Sequence, residues 1–284
     1  MTAVGAMDTS PALVVIGTGL AGAKAAEAAR AAGHPGPIVL VGEEPGVPYE
    51  RPPLSKAVLR GEAELEVTHV HPEGFYAEHD IELVTDPAAD LDLAARAVRL
   101  TSGRRLGFGA LVLATGAAPR RLPVLGADIA GVHLLRTADD ALRLGDAIRD
   151  ATRVAVVGAG WIGTEVAASA RQMGADVVLI DPAPVPLHRV LGREIGAVFA
   201  QLHADHGVEL RLRLGVRELL GTQAVEGVVL DNGRVEPADV VVIGVGVSPR
   251  VELAERAGLR IDRGVVVDGY LETDVPGVFA AGDI

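Results

Sequence analysis

The sequence predicts an α/β protein with two three-layer domains, each a mostly parallel sheet carrying small antiparallel strands. Two observations carry that prediction. A strand, glycine turn, helix, strand unit occurs at 13–41 and again at 154–180. An internal echo follows each unit: Val98–Gly116 (VRLTSGRRLGFGALVLATG) and Val228–Gly246 (VVLDNGRVEPADVVVIGVG) have equal length and align without a gap. Repetition of this kind points to two related folds in tandem.

Leu13–Ile16 is an apolar, largely β-branched run that stops at Gly17, and Ala23–Ala32 is alanine-rich with strong helix propensity. Ile38–Val41 has no polar side, as a parallel strand buried on both faces reads. The second unit repeats the order with Val154–Val157, a helix over Thr164–Met173 and Val177–Ile180. Each echo segment holds a turn, Ser102-Gly103 or Asn232-Gly233, and then an apolar strand ending in glycine. Val208–Leu214 alternates as a half-exposed strand. Ala117–Pro123, with prolines and paired arginines, fits a crossing between domains rather than a helix or strand, and Val247–Arg250 fits a second crossing.

The chain has 284 residues, 26 basic against 38 acidic side chains, a net charge of −12 and no cysteine. The length permits two cores. The acidic balance without a basic run makes nucleic acid an unsuitable partner. Zero cysteine removes disulfides, zinc–thiolate sites and thiol nucleophiles. Met1–Ser10 carries neither a basic cluster nor an apolar core, so it does not read as a leader, and the expected location is cytoplasmic. The apolar stretch Val240–Val247 is interrupted by glycines and is shorter than the roughly 18 residues a membrane span needs, so no membrane association is expected.

Two motifs carry the chemistry. Gly17-Thr18-Gly19-Leu20-Ala21-Gly22 is a GxGxxG between strand and helix: Gly17 for the sharp turn, Gly19 for the approach of a pyrophosphate, Gly22 for close packing of helix on strand. Glu43 ends the second strand about 20 residues on, where a carboxylate accepts from ribose hydroxyls. The P-loop spacing of Gly17 and Gly22 is incidental, because Ala23 stands where that motif needs lysine and Lys24 comes one place late. Gly158-Ala159-Gly160-Trp161-Ile162-Gly163 repeats the fingerprint, with Asp181 as its acid. Asp181 would repel a 2′-phosphate and is followed by Pro182, Ala183 and Pro184, so NAD is preferred to NADP, with Arg189 as a nearby arginine. Two complete fingerprints predict two Rossmann-like dinucleotide sites.

With these residues in view, the chain resembles the ferredoxin reductases of the FAD-dependent pyridine nucleotide oxidoreductase family, over essentially its whole length. The most specific piece is Tyr49–Lys56 (YERPPLSK), joined by Ala114-Thr115-Gly116 and Ala281-Gly282-Asp283. The resemblance implies a glutathione-reductase-like arrangement, with an FAD-binding domain at 1–123 and 249–284 and an inserted NAD-binding domain at 124–248. It implies FAD and NADH as cofactors and a 2Fe–2S ferredoxin-type carrier as partner, the flavin converting one hydride into single electrons for an oxygenase or cytochrome P450. The protein would be a monomer or homodimer.

By the same resemblance Leu20, Ala21, Glu43, Arg51, Lys56, Ala88, Arg136, Gly282 and Asp283 contact FAD, although Ile81–Asp92 is one residue shorter than the usual pattern and carries Asp86 where glycine is common. Lys56 and Glu165 form the catalytic pair beside the flavin ring, where a buried ammonium needs a partner and a positive group favours the reduced ring. Trp161 and Ile162 lie on the nicotinamide side, and Gly244 and Gly246 let NAD approach a strand end. A bland reading stands beside each: Glu165 suits a first helical turn through the helix dipole, Lys56 caps or solvates a helix, and Trp161 is an ordinary packing residue.

Without cysteine, the thiol-using branches of the family are excluded. His69/His71 and His203/His206 lack a carboxylate-rich cluster and read as solvated surface histidines, so no metal is expected; Arg211, Arg213 and Arg217 alternate on one strand and read as a solvated face in preference to part of a dock for an acidic partner. No serine lies in GxSxG. Related reductases continue past the position of Ile284 with a helix beside the flavin and a domain-sized segment, so the resemblance implies a chain lacking that C-terminal domain. Two alternatives stay open: a non-catalytic nucleotide-binding or redox-sensing module, and a flavin-dependent NADH oxidase.

Overall fold

The apolar runs become strands in a computed structural model that describes residues 11–284. The expectation for Met1–Ser10 lies outside the described residues. In chain order the elements are β1 (Leu13–Ile16), α1 (Leu20–Ala31), β2 (Ile38–Gly42), α2 (Phe75–Glu78), β3 (Ile81–Thr85), β4 (Ala88–Asp92), β5 (Ala97–Leu100), β6 (Arg105–Gly107), β7 (Ala110–Leu113), β8 (Ala117–Pro119) and β9 (Val132–His133). They continue with α3 (Ala138–Asp150), β10 (Arg153–Val157), α4 (Trp161–Gln172), β11 (Asp176–Asp181), α5 (His188–Asp205), β12 (Val208–Leu212), β13 (Val216–Gly221), β14 (Val225–Leu230), β15 (Val235–Pro237), β16 (Val240–Ile243), β17 (Val247–Pro249), α6 (Glu252–Arg256) and β18 (Val278–Ala280). Short 3-10 turns cover Pro52–Ser55 and Leu65–Thr68.

The described chain divides into two units, one made of residues up to Glu50, His69–Ala118 and Pro249–Ile284, the other of Arg51–Thr68 and Pro119–Ser248. The sequence reading takes 1–123 as continuous; here Arg51–Thr68 groups with the second unit, where the 3-10 turn Pro52–Ser55 meets α3 and α4.

In the first unit a parallel sheet has the order β18-β7-β1-β2-β3. Every residue of β1 is buried, and its side chains divide by alternation. Leu13 and Val15 pack with Ala23 and Ala26 of α1, while Val14 and Ile16 pack with Leu91, Val98, Leu100 and Leu106 of the antiparallel sheet β4-β5-β6. That alternation makes three layers. The second unit repeats the plan, with a parallel sheet β12-β11-β10-β16-β9 and an antiparallel sheet β13-β14-β15. Ala155, Val157, Val178 and Ile180 there face Leu219, Val228 and Leu230.

Several expectations need correction. Both fingerprint helices start three residues earlier than alanine content suggests, at Leu20 and Trp161, because each begins directly from its glycine turn: Ala23 N–H donates to Gly19 C=O at 3.0 Å and Thr164 N–H to Gly160 C=O at 2.9 Å. Ala117–Pro119 is a strand, paired with β17; prolines are tolerated at the end of such a ribbon, where no ladder donor is required. Arg211 is on β12, Arg213 in the following turn and Arg217 on β13, so they share no strand face. Arg211 is committed to ion pairs: buried Glu236 accepts from Arg211 Nε at 2.5 Å and Arg234 Nε at 2.6 Å, and Arg153 reaches Glu209 at 2.8 Å. Donation from Arg153, and then from Arg211, holds the Glu209 carboxyl below its usual range. A buried carboxylate such as Glu236 persists only when paired in this way.

His203 and His71 also differ from the solvated reading, whereas His206 is exposed as expected. His203 is buried, and desolvation holds it below the ordinary imidazole range. His71 meets Glu27 at 3.1 Å and stacks on Phe75 at 3.8 Å. Among the described residues no cluster of three or more potential metal ligands forms, and no helix is long and apolar enough to cross a membrane.

Candidate functional site

In each unit the fingerprint sits at the carboxyl ends of the parallel strands, where chain order reverses. From β1 the chain goes one way through α1 to β2, and β7 lies on the other side; β10 stands likewise between β11 and β16. Such a switch point opens a crevice beyond the strand ends.

The glycines divide into two kinds. Gly17 and Gly158 turn the chain with φ of 120° and 105°, and a Cβ on either would overlap the Ala114 or Gly244 carbonyl oxygen. A Cβ on Gly22 or Gly163 would overlap the carbonyl of Gly17 or Gly158. These four are required by protein packing. Gly19 and Gly160 are not: both have extended backbone open to any residue, and a Cβ there meets nothing within 4 Å. Space left in front of a helix N-terminus is what a close-approaching phosphate needs.

The helix starts agree. Neither α1 nor α4 has a side-chain cap or an acidic residue in its first turn. By contrast α3 carries a full capping box, Thr137 Oγ1 accepting from Asp140 N–H at 3.1 Å and Asp140 accepting from Thr137 N–H at 2.9 Å. A missing cap alone does not set the fingerprints apart, since α5 also starts with neither a side-chain cap nor an acidic residue in its first turn; what distinguishes α1 and α4 is the open glycine at the N-cap, which leaves their first amides accessible to an anion. These observations fit a dinucleotide pyrophosphate at both places.

Around the first fingerprint the structure gathers Ala114, Thr115, Gly116, Gly282 and Asp283. Gly17 packs on Ala114, Thr115 donates to the Arg250 carbonyl at 2.7 Å, and a Cβ on Gly282 would stand 2.9 Å from that of Ala21. Asp283 is thereby brought to the first turn of α1, where Leu20 is exposed. Glu43, 58% exposed, is held by Arg250 at 2.6 Å. Ala88 lies on β4 opposite Leu100, half-buried against the core cluster that includes Ile16, Leu113 and Ala280.

Around the second fingerprint Asp181 accepts from Ala159 N–H and Ala183 N–H, both at 2.7 Å. Gly244 packs against Gly163, a Cβ there standing 3.5 Å from its nitrogen, and Gly246 turns with φ of 111°. Trp161, 47% exposed, meets Phe199 edge-on at 6.3 Å, and Ile162 beside it is half-buried. Arg189 is exposed at the start of α5.

Lys56 and Glu165 meet: Nζ is 2.7 Å from Oε2. Two corrections follow. The pair is half-exposed, Lys56 at 44% and Glu165 at 28%, so the ammonium is not buried. Glu165 lies beyond the first turn of α4, so the helix-dipole reading fails, and the side chain answers to its partners instead. Arg51 donates to the Arg136 carbonyl, which brings those two together in the second unit. Sequence reasoning missed Ser55, whose hydroxyl donates to Glu165 Oε2 at 2.5 Å, and Ser169, which donates to the Ser55 carbonyl at 2.7 Å. The signal was present: Ser55 adjoins Lys56, and Ser169 follows Glu165 by one helical turn. It missed Arg250 for lack of any local pattern.

Comparison with known proteins agrees with this fold. The family model of pyridine nucleotide-disulphide oxidoreductases matches residues 11–284. The chain is 42% identical over 273 residues to rhodocoxin reductase of Rhodococcus erythropolis, covering 95% of this chain and 64% of that protein. It is 41% identical to the ferredoxin–NAD(+) reductase subunit of a benzene 1,2-dioxygenase system of Pseudomonas putida, covering 96% of this chain and 66% of that protein. A crystal structure of the ferredoxin reductase for the CYP199A2 system of Rhodopseudomonas palustris superposes with a TM-score of 0.94 at 39% identity, covering 96% of this chain and 68% of that one. The chain thus spans about two thirds of the length of these relatives.

Proposed function

This chain belongs to the pyridine nucleotide-disulphide oxidoreductase family, and on that premise we propose that it is an NADH-dependent, FAD-containing reductase of a 2Fe–2S ferredoxin-type carrier that serves an oxygenase or cytochrome P450. The family's disulphide chemistry does not apply, because the chain has no cysteine. The observation that carries the reading is the pair of uncapped helix starts, each preceded by a glycine whose missing side chain no protein atom requires.

In this reading the first unit holds FAD, with the Gly17–Gly22 turn on its pyrophosphate, Glu43 on its ribose and Ala88, Thr115, Gly282 and Asp283 lining the remainder; Arg51, Lys56 and Arg136, which the resemblance also assigns to FAD, belong to the second unit. The second unit holds NADH through Gly158–Gly163, Asp181, Trp161, Ile162, Gly244 and Gly246. Asp181 disfavours the 2′-phosphate of NADP, with Arg189 exposed at the start of α5 as the nearby arginine. Bound FAD supplies the conversion of a hydride into two single electrons. Lys56 provides positive charge that favours the electron-rich flavin, and Glu165 fixes where that charge stands. Hydride transfer then needs orientation rather than an added acid or base. The protein acts in the cytoplasm, as a monomer or homodimer.

The test is NADH oxidation by the FAD-supplied protein in air, with and without a 2Fe–2S ferredoxin and cytochrome c as final acceptor. The reading expects cytochrome c reduction that depends on the ferredoxin. Equal NADH consumption with oxygen alone would assign an oxidase instead.

A further inference from the structure

We infer that Ser55 and Ser169 are positioning residues for Glu165, and through it for Lys56. The inference deepens the reading above, since it concerns the same pair. Lys56 and Ser55 donate to one and the same oxygen of Glu165, Oε2, at 2.7 and 2.5 Å. Ser55 is itself fixed, because its carbonyl accepts from Ser169 Oγ at 2.7 Å. Ser169 is 1% exposed and accepts in turn from Arg60 Nη1 at 3.3 Å. Lys56 is steadied from the other side by the Pro52 carbonyl at 3.0 Å. All these groups lie in the second unit, on the 3-10 turn Pro52–Ser55, the segment after it and α4.

The pair needs this help. A half-exposed lysine–glutamate pair is a weak constraint, screened by water and opposed by the rotamer freedom of two long side chains. A serine has one side-chain torsion to fix, and a hydroxyl donating to a carboxylate makes a short, charge-assisted bond. Ser169 and Glu165 are one turn apart on α4, so the buried serine bonds the turn that carries Ser55, while Ser55 bonds back to the helix at Glu165. The two bonds close a loop between turn and helix, and the carboxylate has one position in which both are made.

The composition offers a direct probe. Lys24 and Lys56 are the only lysines in the chain, so amine acylation in nucleotide-free protein reads Lys56 with Lys24 as the internal reference. Lys24 is tied to Glu27 at 2.9 Å in the first unit, and Ser55 lies in the second. The measured quantity is the ratio of initial acylation rates, Lys56 over Lys24, with an N-hydroxysuccinimide ester and peptide mass spectrometry. Ser55→Ala is expected to raise the ratio about threefold, the scale of losing an exposed ion pair. Ser55→Thr, which keeps the hydroxyl, should restore the parent ratio, and Ser55→Ala should add nothing in a Glu165→Gln background. If Ser55→Ala does not fold, Ser169→Ala carries the same expectation through the Ser55 carbonyl. An unchanged ratio in the folded alanine variants, or the same rise with Glu165→Gln already present, would overturn the inference. Because no flavin or NADH is used, a positive result would stand even if the proposed reductase activity failed, and that failure would be seen separately in the ferredoxin assay.

Discussion

The two glycine fingerprints share a backbone and differ in what their acids do. Glu43 stands exposed just past the end of β2, held by one arginine from a distant segment, Arg250. Asp181 stands at the end of β11 with its two oxygens accepting the N–H groups of Ala159 and Ala183, so it closes its own glycine loop as well as facing the crevice. One acid is free for a ligand at little structural cost; the other builds the loop the ligand needs. Similar sequence motifs therefore predict similar ligands and different mutational behaviour.

The comparison breaks most strongly at the packing glycines. Gly22→Ala and Gly163→Ala each force a Cβ onto backbone carbonyl oxygen, and thermal melting should show losses of roughly 1–3 kcal/mol or more in both units alike. Gly19→Ala and Gly160→Ala, which meet nothing, should melt within about 0.5 kcal/mol of the parent yet weaken FAD and NADH respectively, seen by titration of each nucleotide. Equal melting losses from all four would erase the distinction between packing and ligand glycines.

Next comes the pair of acids. Asp181→Ala leaves two backbone donors without acceptors, and urea denaturation should show a cost of about 1–3 kcal/mol, together with weaker NADH binding and retained FAD. Glu43→Ala removes one exposed ion pair, worth about 1 kcal/mol or less, and its effect should fall on FAD. Unchanged NADH affinity in Asp181→Ala would remove that residue from the nucleotide site.

The smallest effect concerns pH. Burial first holds His133 and His203 below the ordinary imidazole range, with Arg143 adding to it at His133 and the neighbouring His206 at His203, and both lie in the second unit. Their folded pKa values lie below the unfolded one, so the unfolded chain takes up protons first: stability is full above the unfolded value near 6.5 and is lost as pH falls toward the folded values. Melting at pH 5.5 should fall below that at pH 7.5 by roughly 2–4 °C, the scale of about 1 kcal/mol in a protein of this size. His203→Gln should flatten that slope.

The fold is legible where hydrophobic pattern and glycine position agree. Ile38–Val41 reads as a buried parallel strand because no residue in it is polar, and Val240–Ile243 as an apolar strand ending in glycine; both are buried strands of a parallel sheet. Pairing across long separations is not legible: Arg250 with Glu43, Arg211 with Glu236 and Ser169 with Ser55 are set by sheet order and helix packing, which leave no local mark. Ala117–Pro119 does not read as a strand because its proline argues against one in the middle of a sheet, whereas this strand belongs to a two-stranded ribbon. Alanine content places Glu165 one turn too early, because the glycine turn and not the alanines sets where α4 begins.

The most direct test of the account is an anaerobic NADH titration of the FAD-supplied protein, followed by visible absorption. The account predicts protein-bound flavin whose absorption bleaches with about one NADH per flavin, the stoichiometry of a single hydride transfer, and a slower bleach in Lys56→Ala. Bound flavin that stays oxidised at saturating NADH would contradict it.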